Sequence, residues 1–205
     1  MKRRAGKFIV IEGIDGAGGE TQTKLIKKFL EKRGKNVLVL RYPDRKSPGG
    51  KVIYQFLEKN LELTPTTLFL LYFADFLKDA ELIKKSLKSG IFIIADRYFT
   101  STLAYQSVQG VKVNTMLKMA KTFKLPKPDI TILLQITPEI SIKRKYKEKK
   151  KLDRFEKDKK FLEKVAKSYE KLARKNIFCK WKIVNAEKSK QEVFEEIRKI
   201  IEKWI

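Results

Sequence analysis

Histidine is absent from the 205-residue chain, and cysteine occurs once, at Cys179. Without histidine and with a single thiol, a zinc centre lacks its usual ligands. One cysteine also excludes an intrachain disulfide, so a reducing cytoplasm is the expected compartment. Cys179 comes directly after Phe178 and lies close to Trp181, a setting that suits a buried structural thiol better than a nucleophile. Long apolar runs are missing too. Basic Met1-Lys2-Arg3-Arg4 precedes Phe8-Ile9-Val10-Ile11 as in a signal peptide, but that run is too short, and Glu12 and Asp15 break the sequence just after it. The greasiest stretch, 68–77, contains Asp75, and nothing approaches the length of a membrane span, so no membrane partner is expected.

Acidic residues are scarce relative to basic ones: 24 against 48, a formal net charge of +24. Such a field attracts polyanions. One reading is a solvated, lysine-rich surface around a nucleotide site, as thermophiles favour, although glutamate here does not keep pace with lysine. The other is direct contact with nucleic acid, not the expected partner, which would show as steeply salt-dependent binding.

What is present is an alternation of short apolar strands and helices. Strands are expected at 8–11, 37–40, 91–95, 130–136 and 181–184. Helices are expected at 21–33, 51–59, 65–89 and 100–123, from Thr137-Pro138 onward, again up to about 175, and at 190–204. Gly34 and Gly90 stop two of them, and Thr64-Pro65 caps and starts another. Continuous apolar strands between helices imply an α/β fold with a parallel sheet covered on both faces. In such sheets ligands sit beyond the carboxyl ends of the strands, which points to the loops after Ile11, Leu40 and Ala95. No repeat or interdomain linker is visible, so residues 1–205 read as one domain.

The loop after the first strand reads Glu12-Gly13-Ile14-Asp15-Gly16-Ala17-Gly18-Gly19-Glu20-Thr21-Gln22. A glycine-rich turn between a strand and a helix is the context of a phosphate-binding loop. Its backbone N–H groups turn inward and the helix start adds partial positive charge, so the cradle for a nucleotide phosphate needs no side chain. A plain strand-to-helix turn is the alternative. The full motif carries Lys and then Ser or Thr after its second glycine, where this chain has Gly19 and Glu20. The Glu20 carboxylate is a candidate Mg²⁺ ligand, but it also sets negative charge beside phosphate.

Further segments resemble the thymidylate kinase family, in family order and spacing over nearly the whole chain. They are residues 8–18, Arg41-Tyr42-Pro43-Asp44-Arg45, Asp96-Arg97-Tyr98 with Ser101, Ala104, Tyr105 and Gln106, Leu125-Pro126-Lys127-Pro128-Asp129, and Asp153-Arg154-Phe155-Glu156. The resemblance implies a three-layer P-loop NTPase-type fold with a five-stranded parallel sheet, a helical lid at about 143–160, and a homodimer built through helices. It implies transfer of the γ-phosphoryl of ATP to dTMP or a related deoxynucleoside monophosphate, with Mg²⁺, in dTTP biosynthesis.

The same resemblance implies roles for single residues. The loop 13–22 would hold the donor phosphates. Asp15 would sit near the acceptor sugar, Arg45 and Arg97 would grip the acceptor phosphate, and Asp96 would position Mg²⁺ and its waters. Bidentate guanidinium pairing suits the phosphate; a structural salt bridge is the other reading of an Asp-Arg pair. Tyr72 would stack on the acceptor base, unless it is only core packing, with Tyr105 and Gln106 lining the base pocket and Tyr98 closing its wall. Arg144 would lie against the donor adenine. Arg154 would reach the donor phosphates from the lid, as in family members that carry their catalytic arginine there, and together with Arg144, Lys145 and Lys151 it would supply the cation lost at Gly19. The lid segment holds eleven basic and four acidic residues, most of which also fit a solvated face.

A second departure is Phe76, which stands where the family has an arginine that reads the pyrimidine carbonyl. Loss of that donor weakens discrimination for thymine, and the neighbouring Asp75 is the candidate to offer the base a different pattern. A kinase for other monophosphates and a nucleotide-binding pseudokinase are the remaining readings, the latter favoured by Gly19 and Glu20 and opposed by Asp15, Arg45, Asp96 and Arg97.

Overall fold

The computed structural model describes residues 5–147, 153–155 and 157–203. Its five strands are β1 (Phe8–Glu12), β2 (Val37–Arg41), β3 (Phe92–Asp96), β4 (Ile130–Gln135) and β5 (Trp181–Asn185). They form one parallel sheet in the order β2-β3-β1-β4-β5. Every residue of the central β1 and β3 is buried, which is why these strands read as unbroken apolar runs rather than as alternations.

The described helices are α1 (Gly19–Lys32), α2 (Pro48–Leu57), α3 (Pro65–Leu77), α4 (Ala80–Lys88), α5 (Phe99–Val108), α6 (Val113–Thr122), α7 (Pro138–Lys147), α8 (Lys159–Arg174) and α9 (Lys190–Glu202). Helix α1 buries Ile26 and Leu30 at i, i+4 spacing and packs beside α9, which buries Val193, Ile197 and Ile201 and is capped reciprocally by Ser189 and Glu192. Helices α3, α5 and α8 pack together in the other layer. The expected α/β/α architecture and parallel sheet are therefore present. No described helix is long and apolar enough to cross a membrane.

Two expected helices are each divided. The 65–89 helix breaks at Lys78 and Asp79, where the Asp79 carboxylate accepts the buried Tyr42 hydroxyl at 2.8 Å and Lys78 pairs with Asp44, Asp75 and Asp79. The 100–123 helix breaks at Gly110, whose φ of 97° ends α5. Helix α2 starts at Pro48 rather than at residue 51, because the Ser47 hydroxyl caps it by accepting from Gly50 N at 2.9 Å. The Cys179 thiol lies 3.1 Å from the Thr131 hydroxyl, and burial pushes it up to about 11, in keeping with a structural role.

Candidate active site

The carboxyl ends of β1, β2 and β3 open into one cavity of about 1130 Å³. Its floor is the phosphate loop. Gly18, at φ 97°, turns the chain into α1 and has no side chain to cap it. The first N–H groups of a helix lack intrahelical acceptors, so those of Gly19, Glu20 and Thr21 are available to an anion at the cavity floor, which these residues line together with 13–18. Ile14 is buried, and its carbonyl accepts from Ala17 N at 3.1 Å, which holds the loop's bend. Gln22 does not face the cavity. It is buried and donates through Nε2 to the Lys190 carbonyl at 2.9 Å, tying α1 to the start of α9. That corrects its expected place among the donor-binding residues.

Asp15 and Arg97 meet over this floor. Arg97 Nη2 donates to Asp15 Oδ1 at 2.9 Å, and the Tyr105 hydroxyl donates to Asp15 Oδ2 at 3.1 Å. Burial alone would raise the Asp15 carboxyl. The charges of Arg97 and Lys145 and the two hydrogen bonds outweigh it, so its pKa lies below the usual value. The Ser141 hydroxyl also donates to the Asp15 carbonyl, fastening the loop to α7. Arg97 has a φ of 67°, a conformation that an L residue adopts only when its surroundings hold it.

The holder is Glu12. It is buried at the end of β1 and accepts from Tyr98 N at 3.1 Å, from the Thr100 and Tyr169 hydroxyls at 2.6 and 2.8 Å, and from the Ser101 hydroxyl. Burial raises the Glu12 carboxyl, against the lowering effects of Arg97 and these donors. Arg45 lines the same cavity, its guanidinium 3.5 Å from the Tyr54 ring centroid and Nη1 3.5 Å from Glu58. The cavity thus brings Asp15, Arg45, Asp96 and Arg97 together.

The far wall is aromatic. Tyr72, Tyr105, Phe155 and Gln106 line it. Both amide atoms of buried Gln106 lack a partner among the described residues, as does the hydroxyl of buried Thr102 on the same helix face. Unpaired buried polar groups are costly, so a wall carrying two of them suits a polar ligand edge. Phe76 and Tyr98 are set deeper than expected. Phe76 is 1 % exposed and packs edge-on against Tyr42 and Tyr98 at 5.0 and 5.2 Å, while the fully buried Tyr98 donates to the Pro126 carbonyl at 3.1 Å. Both back the wall more than they face the cavity. Asp75 is turned away altogether. It accepts from Asp44 N at 2.8 Å and from the Ser47 hydroxyl at 2.6 Å, so it cannot offer a pattern to a base.

In the lid, residues 148–152 and 156, with the expected cation Lys151 among them, lie outside the described residues. Arg144 donates to the Gly16 carbonyl at 3.3 Å and to the Ala186 carbonyl at 2.8 Å, clamping the phosphate loop to the β5–α9 turn. Arg154 is not at the phosphate loop. Its guanidinium lies over Phe56 at 4.4 Å and donates to Glu62 at 2.6 and 2.8 Å and to the Phe56 and Leu61 carbonyls. The Glu62 carboxylate and the two carbonyls give it acceptors, which a loop of inward-turned N–H donors does not. Lys145 lines the cavity.

At the donor end, Asp96 and Glu20 are the carboxylates available to Mg²⁺. No group of three or more potential metal ligands exists among the described residues. Mg²⁺ on a nucleotide needs only one or two carboxylates, with phosphates and water completing its shell, so the residues fit the ion. Burial raises the Asp96 carboxyl, with Arg97 and Arg41 acting against it. Glu20 is lowered by the Lys24 hydrogen bond and by Arg41.

Arg41, Glu12 and Tyr169 are among the site residues to which the sequence gives no role of their own. Arg41 and Glu12 close β2 and β1, where the rule for open parallel sheets already places ligands. Tyr169 arrives from α8 with no local signal.

Comparison with known proteins agrees with this architecture. The sequence matches the family model "Thymidylate kinase" over residues 11–197. It is 38% identical to the thymidylate kinase of Thermosipho africanus, covering 97% of this chain and 98% of that one. It is 40% identical to a probable thymidylate kinase of Methanocaldococcus jannaschii, covering 93% of each. The solved thymidylate kinase of Candida albicans, described there as revealing the origin of broad substrate specificity, superposes with a TM-score of 0.77 at 28% identity over 97% of this chain and 92% of its own. With the family model spanning most of its length and near full-length relatives at this identity, the chain belongs to the thymidylate kinase family.

Proposed function

We propose that this member of the family transfers the γ-phosphoryl group of ATP to the 5′-phosphate of dTMP, giving ADP and dTDP. An oxygen of the acceptor phosphate attacks the γ-phosphorus, and the bond from that phosphorus to the β–γ bridging oxygen breaks. Such transfer needs in-line positioning and charge neutralisation rather than covalent help.

The observation that carries this reading is the Asp15–Arg97 pair, which joins the phosphate loop to the segment after β3 inside one cavity. Backbone amides of the loop hold the donor. Arg97 and Arg45 hold the acceptor phosphate, and Asp15, kept ionised, orients Arg97 and accepts from the acceptor sugar. Tyr72 covers one face of the base, and Gln106 meets its edge. Asp96 and Glu20 would hold Mg²⁺, which when bound neutralises phosphate charge. Chromatographic identification of the diphosphate formed from a panel of monophosphates tests the reading. dTDP is the expected product; a panel that yields only other diphosphates contradicts dTMP as acceptor.

Phe76 in the wall offers no guanidinium to a pyrimidine carbonyl, which supports acceptance of dUMP alongside dTMP. A homodimer fits Leu70 of α3, 46 % exposed on an apolar helix. A cytoplasmic setting suits the free Cys179.

A further inference from the structure

The donor end departs from its family at Gly19 and Glu20, and the structure shows these two positions joined to a third. A Cβ at position 19 would lie 2.6 Å from Asp96 Oδ1, so the carboxylate fills the room a side chain there would need. The other oxygen of the same carboxylate, Oδ2, lies 3.5 Å from Arg41 Nε. Arg41 stands opposite Asp96 in the β2–β3 register and lines the same cavity as the phosphate loop. Its Nη1 donates to Glu20 Oε2 at 3.0 Å. The guanidinium is therefore one carboxylate away from the missing lysine position, and in contact with the residue that replaces the hydroxyl.

We propose that Arg41 is a catalytic residue of this chain, whose guanidinium turns onto the donor phosphates and supplies the cation that Gly19 lacks. Glu20 does not need Arg41 for its own balance, because Lys24 also pairs with it at 2.7 Å. The Arg41–Glu20 contact is about half exposed on both sides, the kind of ion pair that exchanges readily for a stronger partner. Arg41 Nη2 meets no acceptor among the described residues, so its N–H groups are open to a phosphate oxygen. A planar guanidinium holds phosphate through two parallel hydrogen bonds, which an ammonium cannot do. The other arginines near the donor end are engaged elsewhere: Arg144 on two backbone carbonyls, Arg154 on Glu62.

This inference rests on the phosphoryl-transfer reading, and its test separates the two. ATP affinity is measured by titration calorimetry in EDTA and in Mg²⁺, alongside kcat at saturating dTMP, for the wild type, R41A, R41K, R41A/E20Q and G19K/R41A. R41A is expected to lose about 10²-fold or more in kcat and about tenfold in ATP affinity in EDTA, with dTMP affinity held within about threefold. R41A/E20Q is expected to stay low in ATP affinity in EDTA, where a Mg²⁺ role of Glu20 is silent, because the loss is of a cation at phosphate and not of balance for Glu20. G19K/R41A is expected to recover about tenfold or more over R41A, since removing Arg41 frees Asp96 to turn from the new side chain.

R41A values within about threefold of wild type in both kcat and ATP affinity would overturn the proposal. Full recovery in R41A/E20Q would do so as well, reducing Arg41 to a neutraliser of Glu20. Should R41A fail to fold, R41K carries the test, with partial loss of the same two quantities expected and wild-type values refuting. If the wild type turns over no monophosphate while R41A still weakens ATP, the anion site stands and the transfer reading falls.

Discussion

Replacing Arg97 separates its pairing with Asp15 from its proposed grip on the acceptor phosphate. In R97A, Asp15 loses its ion partner while remaining largely enclosed, the pair being 22 % and 24 % exposed. Breaking one side of a buried pair costs about 3–5 kcal/mol, and the partial exposure places this one near about 3 kcal/mol. For a chain of this size that lowers Tm by roughly 6–12 °C. The double variant D15N/R97A removes the unpaired charge at position 15 and should recover about 1–2 kcal/mol of the loss. Activity should behave differently. The two charge-assisted hydrogen bonds lost from the acceptor phosphate are worth about 1.5–3 kcal/mol each, which is roughly 10²–10⁴-fold in kcat/KM for dTMP. D15N/R97A should not regain it. Differential scanning fluorimetry and coupled ADP release read the two quantities on the same samples. The reasoning is refuted if kcat/KM for dTMP falls less than about tenfold in folded R97A, or if the double variant recovers activity together with stability.

The same geometry sets other outcomes. Gln106→Met removes a buried amide with no partner among the described residues, so thermal stability should hold or rise while KM for dTMP increases by about 10–100-fold; melting curves and initial rates check this. Glu62→Ala frees Arg154 from its seat on the turn after α2; kcat should hold or rise if Arg154 works at the donor phosphates, and a fall would place its function at Glu62. Asp15 has a lowered folded pKa, so its contribution to stability is full above its ordinary value of 3.8 and lost as pH falls through the folded value. Melts of wild type and D15N from pH 6 downward should converge only in the acid range below 3.8. Glu12 has the opposite sign: its contribution is full below 4.5 and lost as pH rises through its raised folded value, so E12Q should flatten that part of the profile.

The sheet and the strand-end site were legible because buried parallel strands write themselves as apolar runs, and their carboxyl ends follow from topology. Asp15, Arg45, Asp96 and Arg97 lie on the loops this rule names, and the structure brings them into one cavity. What the sequence withheld depends on long-range partners. The break between α3 and α4 answers to Tyr42, thirty-seven residues before Asp79. Asp75 turns to Asp44 and Ser47 rather than to the cavity, and Gln22 turns to α9. Arg154 sits in a charged run whose spacing says nothing of Glu62, 92 residues away. Arg41 looked like part of a motif, and the role proposed for it rests on the approach of Asp96 to Gly19, which the sequence does not reveal.

Phosphoryl transfer itself is tested most directly with ATP labelled at its γ-phosphate, incubated with Mg²⁺ and dTMP. The account predicts that the label appears in dTDP, in an amount equal to the ADP formed, and that no ADP forms without an acceptor. Label released as inorganic phosphate, or no release while ATP binding is intact, would contradict it.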